Sequence, residues 1–233
     1  MQKRILPLLP QLFTFSTLVV GIISIILSVE NYPIWAGVLI LVGLVTDSLD
    51  GIIARATKTS SDFGLQLDSL ADTVCFGVAA MLFAYQNLRL NELGPLASLL
   101  IVLPVPIAGI FRLARFNLLP AKTGKEGYTT GLAITSAGSV MALAGLSDLH
   151  YHSNLLPLPV IALLPLLLAV LMVSQIPFPS LKAVFRRKKT AAVILSVGTL
   201  LSIPFSPQLV FFTIYMGYVG FGLARAGYGR ATR

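Results

Sequence analysis

Asp47, Asp50, Asp68 and Asp72 fall within 26 residues of a 233-residue chain that carries only nine acidic side chains. Their spacing is helical. Asp47, Asp50, Gly51, Ala54 and Arg55 recur at three and four and share one face of a helix. Gly64, Asp68 and Asp72 recur at four and share one face of the next. A short link joins the two helices, so they are antiparallel neighbours and the two acidic faces meet. Four carboxylates brought together repel one another, and the single positive charge of Arg55 does not balance them. One or two divalent cations would. All-oxygen ligands favour Mg²⁺, Mn²⁺ or Ca²⁺ over zinc. Two such ions suit a displacement at phosphorus, because they clamp phosphate oxygens of both substrate and leaving group. Gly51 and Ala54 leave a shallow groove beside the acids, Gly64 does the same on the facing helix, and Arg55 can grip a phosphate as a fork. Isolated acids of this kind are also known as proton relays or packing partners. Four in phase, with Gly and Arg interleaved, favour the ion site.

The elements that must position these acids are membrane helices. Hydrophobic residues make up 56% of the chain, charged residues 11%, and the mean hydropathy is +0.87. A soluble domain is about one-quarter charged. The expected fold class is therefore an all-α polytopic integral membrane protein. Eight apolar stretches reach spanning length or come near it, at 11–29, 34–57, 63–86, 95–117, 129–147, 155–175, 190–204 and 207–225. The seventh is short. No soluble domain fits between them, so residues 1–233 read as one membrane-embedded catalytic domain. The apolar run from Leu12 to Leu27 is long for a signal peptide and reads as the first span. The lone Cys75 excludes an internal disulfide and reads as a small packing residue.

Charge sets the orientation. With the N-terminus in the cytoplasm, sixteen Lys and Arg residues fall inside and only Arg89 falls outside. The acids and both termini then lie on the cytoplasmic side. The net charge of +8 is explained by this bias and by anionic lipid, and no basic face interleaved with aromatics speaks for nucleic acid. "TSSD", Thr59 to Asp62, offers N-caps for the third helix. His150 and His152 lie across the membrane from the acids and read as loop residues.

The run Asp47-x2-Asp50-Gly51-x2-Ala54-Arg55-x8-Gly64-x3-Asp68-x3-Asp72 resembles the signature of the CDP-alcohol phosphotransferases, with all eight fixed positions present. The resemblance implies a six-helix membrane core, here with about two further transmembrane helices, and a homodimer. It implies transfer of a phosphatidyl group from a CDP-linked lipid to an alcohol with release of CMP. Asp47, Asp50, Asp68 and Asp72 would hold two divalent ions, and Asp72 would also be the general base. Gly51, Ala54, Arg55 and Gly64 would line the CDP-lipid site, with Ser61 beside them. A Pro-Asn-x-x-Thr element of many members reads here as Pro10 to Thr14, with Gln11 in place of Asn; by the resemblance Gln11 and Thr14 would be nucleotide contacts.

"LDSLADTVCFGVA" (67–79), "FRLARFN" (111–117) and "SQIPFPSLK" (174–182) resemble the serine-using branch of that family, the bacterial and archaeal phosphatidylserine synthases. CDP-diacylglycerol and L-serine would then be the substrates, in a prokaryotic cytoplasmic membrane. Arg112 and Arg115 stand three apart at the cytoplasmic end of the fourth span, placed to bind the serine carboxylate or a lipid phosphate; the competing reading is snorkelling. "KTGKEGYTTG" (122–131) either closes over the serine pocket or is a plain loop. Gly217 to Gly222 packs against another helix, within the chain or across a dimer. Three rival readings remain: the same chemistry with glycerol 3-phosphate or inositol phosphate, a cation-coupled transporter, and a non-catalytic assembly protein. The clustering of acids at one face, the lack of a repeat and the intact signature count against the last two.

Overall fold

The apolar runs become helices whose ends are set by identifiable residues. The computed structural model describes residues 8–57, 61–118, 128–151, 156–179 and 206–231, without side chains at 8–10, 54–55, 128, 179 and 225–231. Helix α1 is Leu8–Val29 and α2 is Pro33–Thr57. The turn between them passes through Asn31 at φ 61, a left-handed conformation that Asn tolerates, and Pro33 opens α2 where a missing N–H costs nothing. Helix α3 is Asp62–Asp72, a π-helical segment follows over Thr73–Ala79, and α4 is Ala80–Leu90. These three pieces form one span, Asp62–Leu90. Helices α5 (Pro95–Val102) and α6 (Pro104–Leu118) form the next, broken where Pro104 cannot donate to the helical ladder. Then come β1 (Tyr128–Thr130), α7 (Ile134–His150), α8 (Leu158–Val173), β2 (Pro177–Pro179) and α9 (Pro207–Ala231).

Among the described residues, five helical stretches are long and apolar enough to cross a membrane: Gln11–Val29, Pro33–Ile53, Asp62–Leu90, Pro95–Leu118 and Pro207–Ala224. Leu158–Val173 is a shorter apolar helix. The all-α membrane architecture is thus as expected, and the expected span at 190–204 lies outside the described residues. Two expectations are refined. The stretch expected as a span at 129–147 is instead the 17-residue helix Ile134–His150, which is not among those five, and Tyr128–Thr130 before it is a strand that pairs antiparallel with Pro177–Pro179. The third span is not a regular helix throughout, because of its π-helical segment.

Helix α7 is the hub, in contact with α2, α4, the π segment, α8 and α9. Its small residues explain how. Helices in lipid gain from close packing rather than from a hydrophobic drive, and Gly, Ala and Ser permit it. Gly138 lies against the backbone of Phe76, where an added Cβ would stand 2.8 Å from its Cα. Gly145 receives the ring of Phe83, which is fully buried. On the other side of the π segment, Gly21 of α1 and Gly43 of α2 close on Cys75, which is fully buried as a packing residue. The π segment is therefore held on three sides directly after Asp72.

Candidate active site

Each acid is placed by a local device. Helix α3 begins at Ser61, whose Oγ accepts the Gly64 N–H at 3.0 Å. This cap fixes the first turn, and Asp68 and Asp72 follow one and two turns after Gly64 on the same face. Asp47 and Asp50 lie near the end of α2, and α1 packs along both α2 and α3. Asp47, Asp50 and Asp68 each offer a carboxylate oxygen, and the three oxygens lie within 4.8 Å of one another. Oxygens on opposite sides of one Mg²⁺ or Ca²⁺ ion are roughly 4–5 Å apart, given ordinary bond lengths. The donor set therefore fits a hard divalent cation. Asp72 is not part of this threesome; it is buried one turn further along α3.

Thr14 of α1 enters the site from the side. Its hydroxyl donates to Asp50 Oδ2 at 2.9 Å, with both residues buried. One turn along, the Thr17 and Thr46 hydroxyls share a hydrogen bond of 2.7 Å between α1 and α2. Gln11 lies one turn before Thr14, half-buried. Gly51 is half-buried beside Asp50, while the Ala54 and Arg55 side chains lie outside the described residues.

The two arginines of α6 diverge. Arg112 is 7% exposed, within electrostatic reach of Asp72, and 6.0 Å from the centre of the Phe116 ring. Its buried Nε has no hydrogen-bond partner. Arg115 is committed elsewhere: Nη1 donates to the Val173 carbonyl at 3.1 Å, and Nη2 to those of Ser174 at 3.3 Å and Thr130 at 3.4 Å. Asn117, at the end of the same motif, donates to Ser69 Oγ at 2.9 Å and ties α6 to α3.

Three participants were not foreseen. Tyr215 of α9 stands within electrostatic reach of Asp47 and hydrogen-bonding reach of Ser139. Tyr218 stands within reach of Arg112 and packs on the Phe178 ring at 6.1 Å between centres. Asn117 closes the stretch "FRLARFN", whose arginines alone suggested a function. For the tyrosines the available signal was their three-residue spacing on one face of α9, which does not say what that face meets.

A family model for CDP-alcohol phosphatidyltransferase matches residues 7–173. The chain belongs to the CDP-alcohol phosphatidyltransferase family. It is similar to the CDP-diacylglycerol–serine O-phosphatidyltransferase of Helicobacter pylori, 36% identical over 226 residues, which are 94% of this chain and 90% of that protein. It is similar to the protein of the same name from Bacillus subtilis, 33% identical over 175 residues, 75% of this chain and 91% of the relative. The archaetidylserine synthase of Methanothermobacter thermautotrophicus is 34% identical over 174 residues, 73% of this chain and 69% of the relative. In this phosphatidyltransferase the matched stretch contains all four acids, Arg112 and Arg115, and ends with the last residue of α8. Strand β2 and helix α9 lie beyond it.

Proposed function

We propose that this phosphatidyltransferase moves the phosphatidyl group of CDP-diacylglycerol onto L-serine, giving phosphatidylserine and CMP. The observation that carries the reading is the meeting of three carboxylates, Asp47, Asp50 and Asp68, within 4.8 Å, with a buried Asp72 one turn on that lies within electrostatic reach of the buried Arg112. The similarity to serine-using relatives over nearly the whole chain supports serine as the acceptor.

In this reading Asp47, Asp50, Asp68 and Asp72 hold two divalent ions, Mg²⁺ or Mn²⁺. Ions bound there neutralise the diphosphate and stabilise the departing CMP. Gly51, Ala54, Arg55 and Gly64 receive the CDP group, with Gln11, Thr14 and Ser61 around it. Arg112, whose buried Nε has no hydrogen-bond partner, binds the serine carboxylate. Asp72 takes the proton of the serine hydroxyl as that oxygen attacks the lipid-bearing phosphorus. The new P–O bond forms while the bond to CMP breaks, and CMP leaves with the electron pair. Attack in line inverts the phosphorus. The whole chain acts as one membrane-embedded domain, as a homodimer, with its termini and acids at the cytoplasmic face of a prokaryotic membrane.

The test is CMP release by purified protein supplied with CDP-diacylglycerol, Mn²⁺ or Mg²⁺, and a panel of alcohols. Serine is expected to be the preferred acceptor. Release with glycerol 3-phosphate or inositol phosphate but not serine would move the enzyme to another branch. Retention of configuration at phosphorus would replace direct attack with a two-step route.

A further inference from the structure

Arg112 and Arg115 stand less than one turn apart on α6, yet their guanidinium groups do different work. Arg112 is buried within electrostatic reach of Asp72 and makes no hydrogen bond through its Nε. Arg115 spends three hydrogen bonds on backbone carbonyls of two other elements. Val173 and Ser174 stand at the C-terminal end of α8, where the last carbonyls lack helical partners and attract a cation. Thr130 is the last residue of β1. One side chain thus joins the ends of α6, α8 and β1.

The junction it closes is tight. Gly131, directly after β1, has φ +74, and a Cβ there would strike the Met172 carbonyl oxygen and stand 3.2 Å from Arg115 Nη2. Its N–H donates to the Ile176 carbonyl at 2.9 Å, and the Leu132 N–H to that of Leu171 at 3.1 Å. The strands need this bracing. Two of the three residues of β2 are prolines, which cannot donate to the ladder, and a two-stranded ribbon is marginal alone.

The strands in turn support the far wall of the site. Phe178, the middle residue of β2, is fully buried. Its ring fits against Gly222 of α9, where a Cβ would come within 2.5 Å of the ring, and it lies 6.1 Å from the ring of Tyr218. Tyr218 lies within electrostatic reach of Arg112. A chain of contacts therefore runs from Arg115 through β1 and β2 to Phe178 and on to Tyr218, which is within electrostatic reach of Arg112. Strand β2 and helix α9 lie beyond the family-matched stretch.

We propose that Arg115 is a positioning residue of the acceptor pocket: it braces the β1–β2 ribbon, which seats Phe178 against α9 and holds Tyr218 next to Arg112. The pocket's identity rests on the function proposed above, while the brace does not. A displaced wall misplaces the acceptor and leaves the CDP-lipid site, built by α1 to α3, in order.

The experiment combines steady-state kinetics with hydrogen–deuterium exchange on Arg115→Lys, Arg115→Gln, Phe178→Leu and the double variant Arg115→Gln/Phe178→Leu. Arg115→Gln is expected to raise the serine KM by about 10-fold or more, since small misplacements at a reacting centre are costly, with the CDP-diacylglycerol KM unchanged. Phe178→Leu shifts the same KM in the same direction, and the double variant is no worse than the stronger single, as for residues on one path. Arg115→Lys, the milder change, recovers part of the effect because an ammonium can serve one or two carbonyls. In protein without substrates, amide exchange at 128–132 and 174–179 speeds up in Arg115→Gln. The proposal is overturned if that exchange is unchanged, if both substrates' KM values rise together, or if Phe178→Leu leaves the serine KM alone. The last result would make Arg115 a direct ligand. Should the wild type use another alcohol, the function assigned above fails, the kinetic arm is run with that alcohol, and the exchange arm decides the brace independently.

Discussion

Replacing Thr14 with Val separates two parts the residue could play. Its hydroxyl donates to Asp50 Oδ2 at 2.9 Å, and the two residues are only 5% and 7% exposed. Water is therefore a poor substitute for the lost donor. A hydrogen bond to a charged group is worth about 1.5–3 kcal/mol, and removing one partner from a buried pair exacts the larger share of it. That bond orients one carboxylate of the Asp47, Asp50, Asp68 threesome, so its loss falls on cation affinity. At about 1.4 kcal/mol per decade, the expected weakening is about 10- to 100-fold, the range typical when a group that orients a metal ligand is removed. Mn²⁺ binding to the detergent-purified protein, followed by electron paramagnetic resonance, reads this directly. Thr14→Val should raise the Mn²⁺ dissociation constant by that factor, and Thr14→Ser should restore it. At saturating Mn²⁺ the turnover number should approach that of the wild type. Unchanged Mn²⁺ binding together with a raised KM for CDP-diacylglycerol would refute the reasoning and make Thr14 a nucleotide contact instead.

Asp72→Asn should retain binding of the CDP-lipid, measured by calorimetry, while CMP release falls by about 100-fold or more, the scale of a lost general base; loss of lipid binding instead would make Asp72 chiefly a ligand. Gly43→Ala should lower the thermal midpoint in detergent, because the new methyl meets Cys75 Sγ, at a cost of about 1–3 kcal/mol. Adding Cys75→Ala should recover most of that loss, and no recovery would mean the backbone rather than the sulfur sets the limit. Asp148, fully buried at the end of the bundle away from the acids, accepts from Asn91 Nδ2 at 3.0 Å and the Leu156 N–H at 3.3 Å. Asp148→Ala should cost about 1–3 kcal/mol of stability and leave both KM values unchanged; a changed serine KM would show that the two ends are coupled.

The membrane class, most span positions and the phase of the acids were legible in the sequence because each depends on local spacing. Apolar length marks a span whatever it packs against, and residues three and four apart share a face of any helix. Ser61 was legible as one of several N-caps, since capping is decided within one turn. The pairing of Tyr128–Thr130 with Pro177–Pro179 joins segments about 50 residues apart and leaves no local trace beyond a β-branched pair and two prolines that stop a helix. The π segment after Asp72 is likewise a tertiary product, since "TVCFGVA" reads as ordinary helix until Gly21, Gly43 and Gly138 let three helices close on it.

The amino-acid order determined that four aspartates, small residues and an arginine would line two helical faces in a membrane, because helical periodicity alone aligns them. Only the tertiary structure decided which carboxylates converge, that Thr14 serves Asp50, and that Arg112 comes within electrostatic reach of Asp72 while Arg115 bonds carbonyls at the ends of α8 and β1. It also brought Tyr215 and Tyr218, far along the chain, to the edge of the site. The physical reason is the same in each case. A side chain's direction on its own helix follows from spacing, but its partner is chosen by how helices with small residues at their contacts pack together, and that packing is a property of the whole bundle.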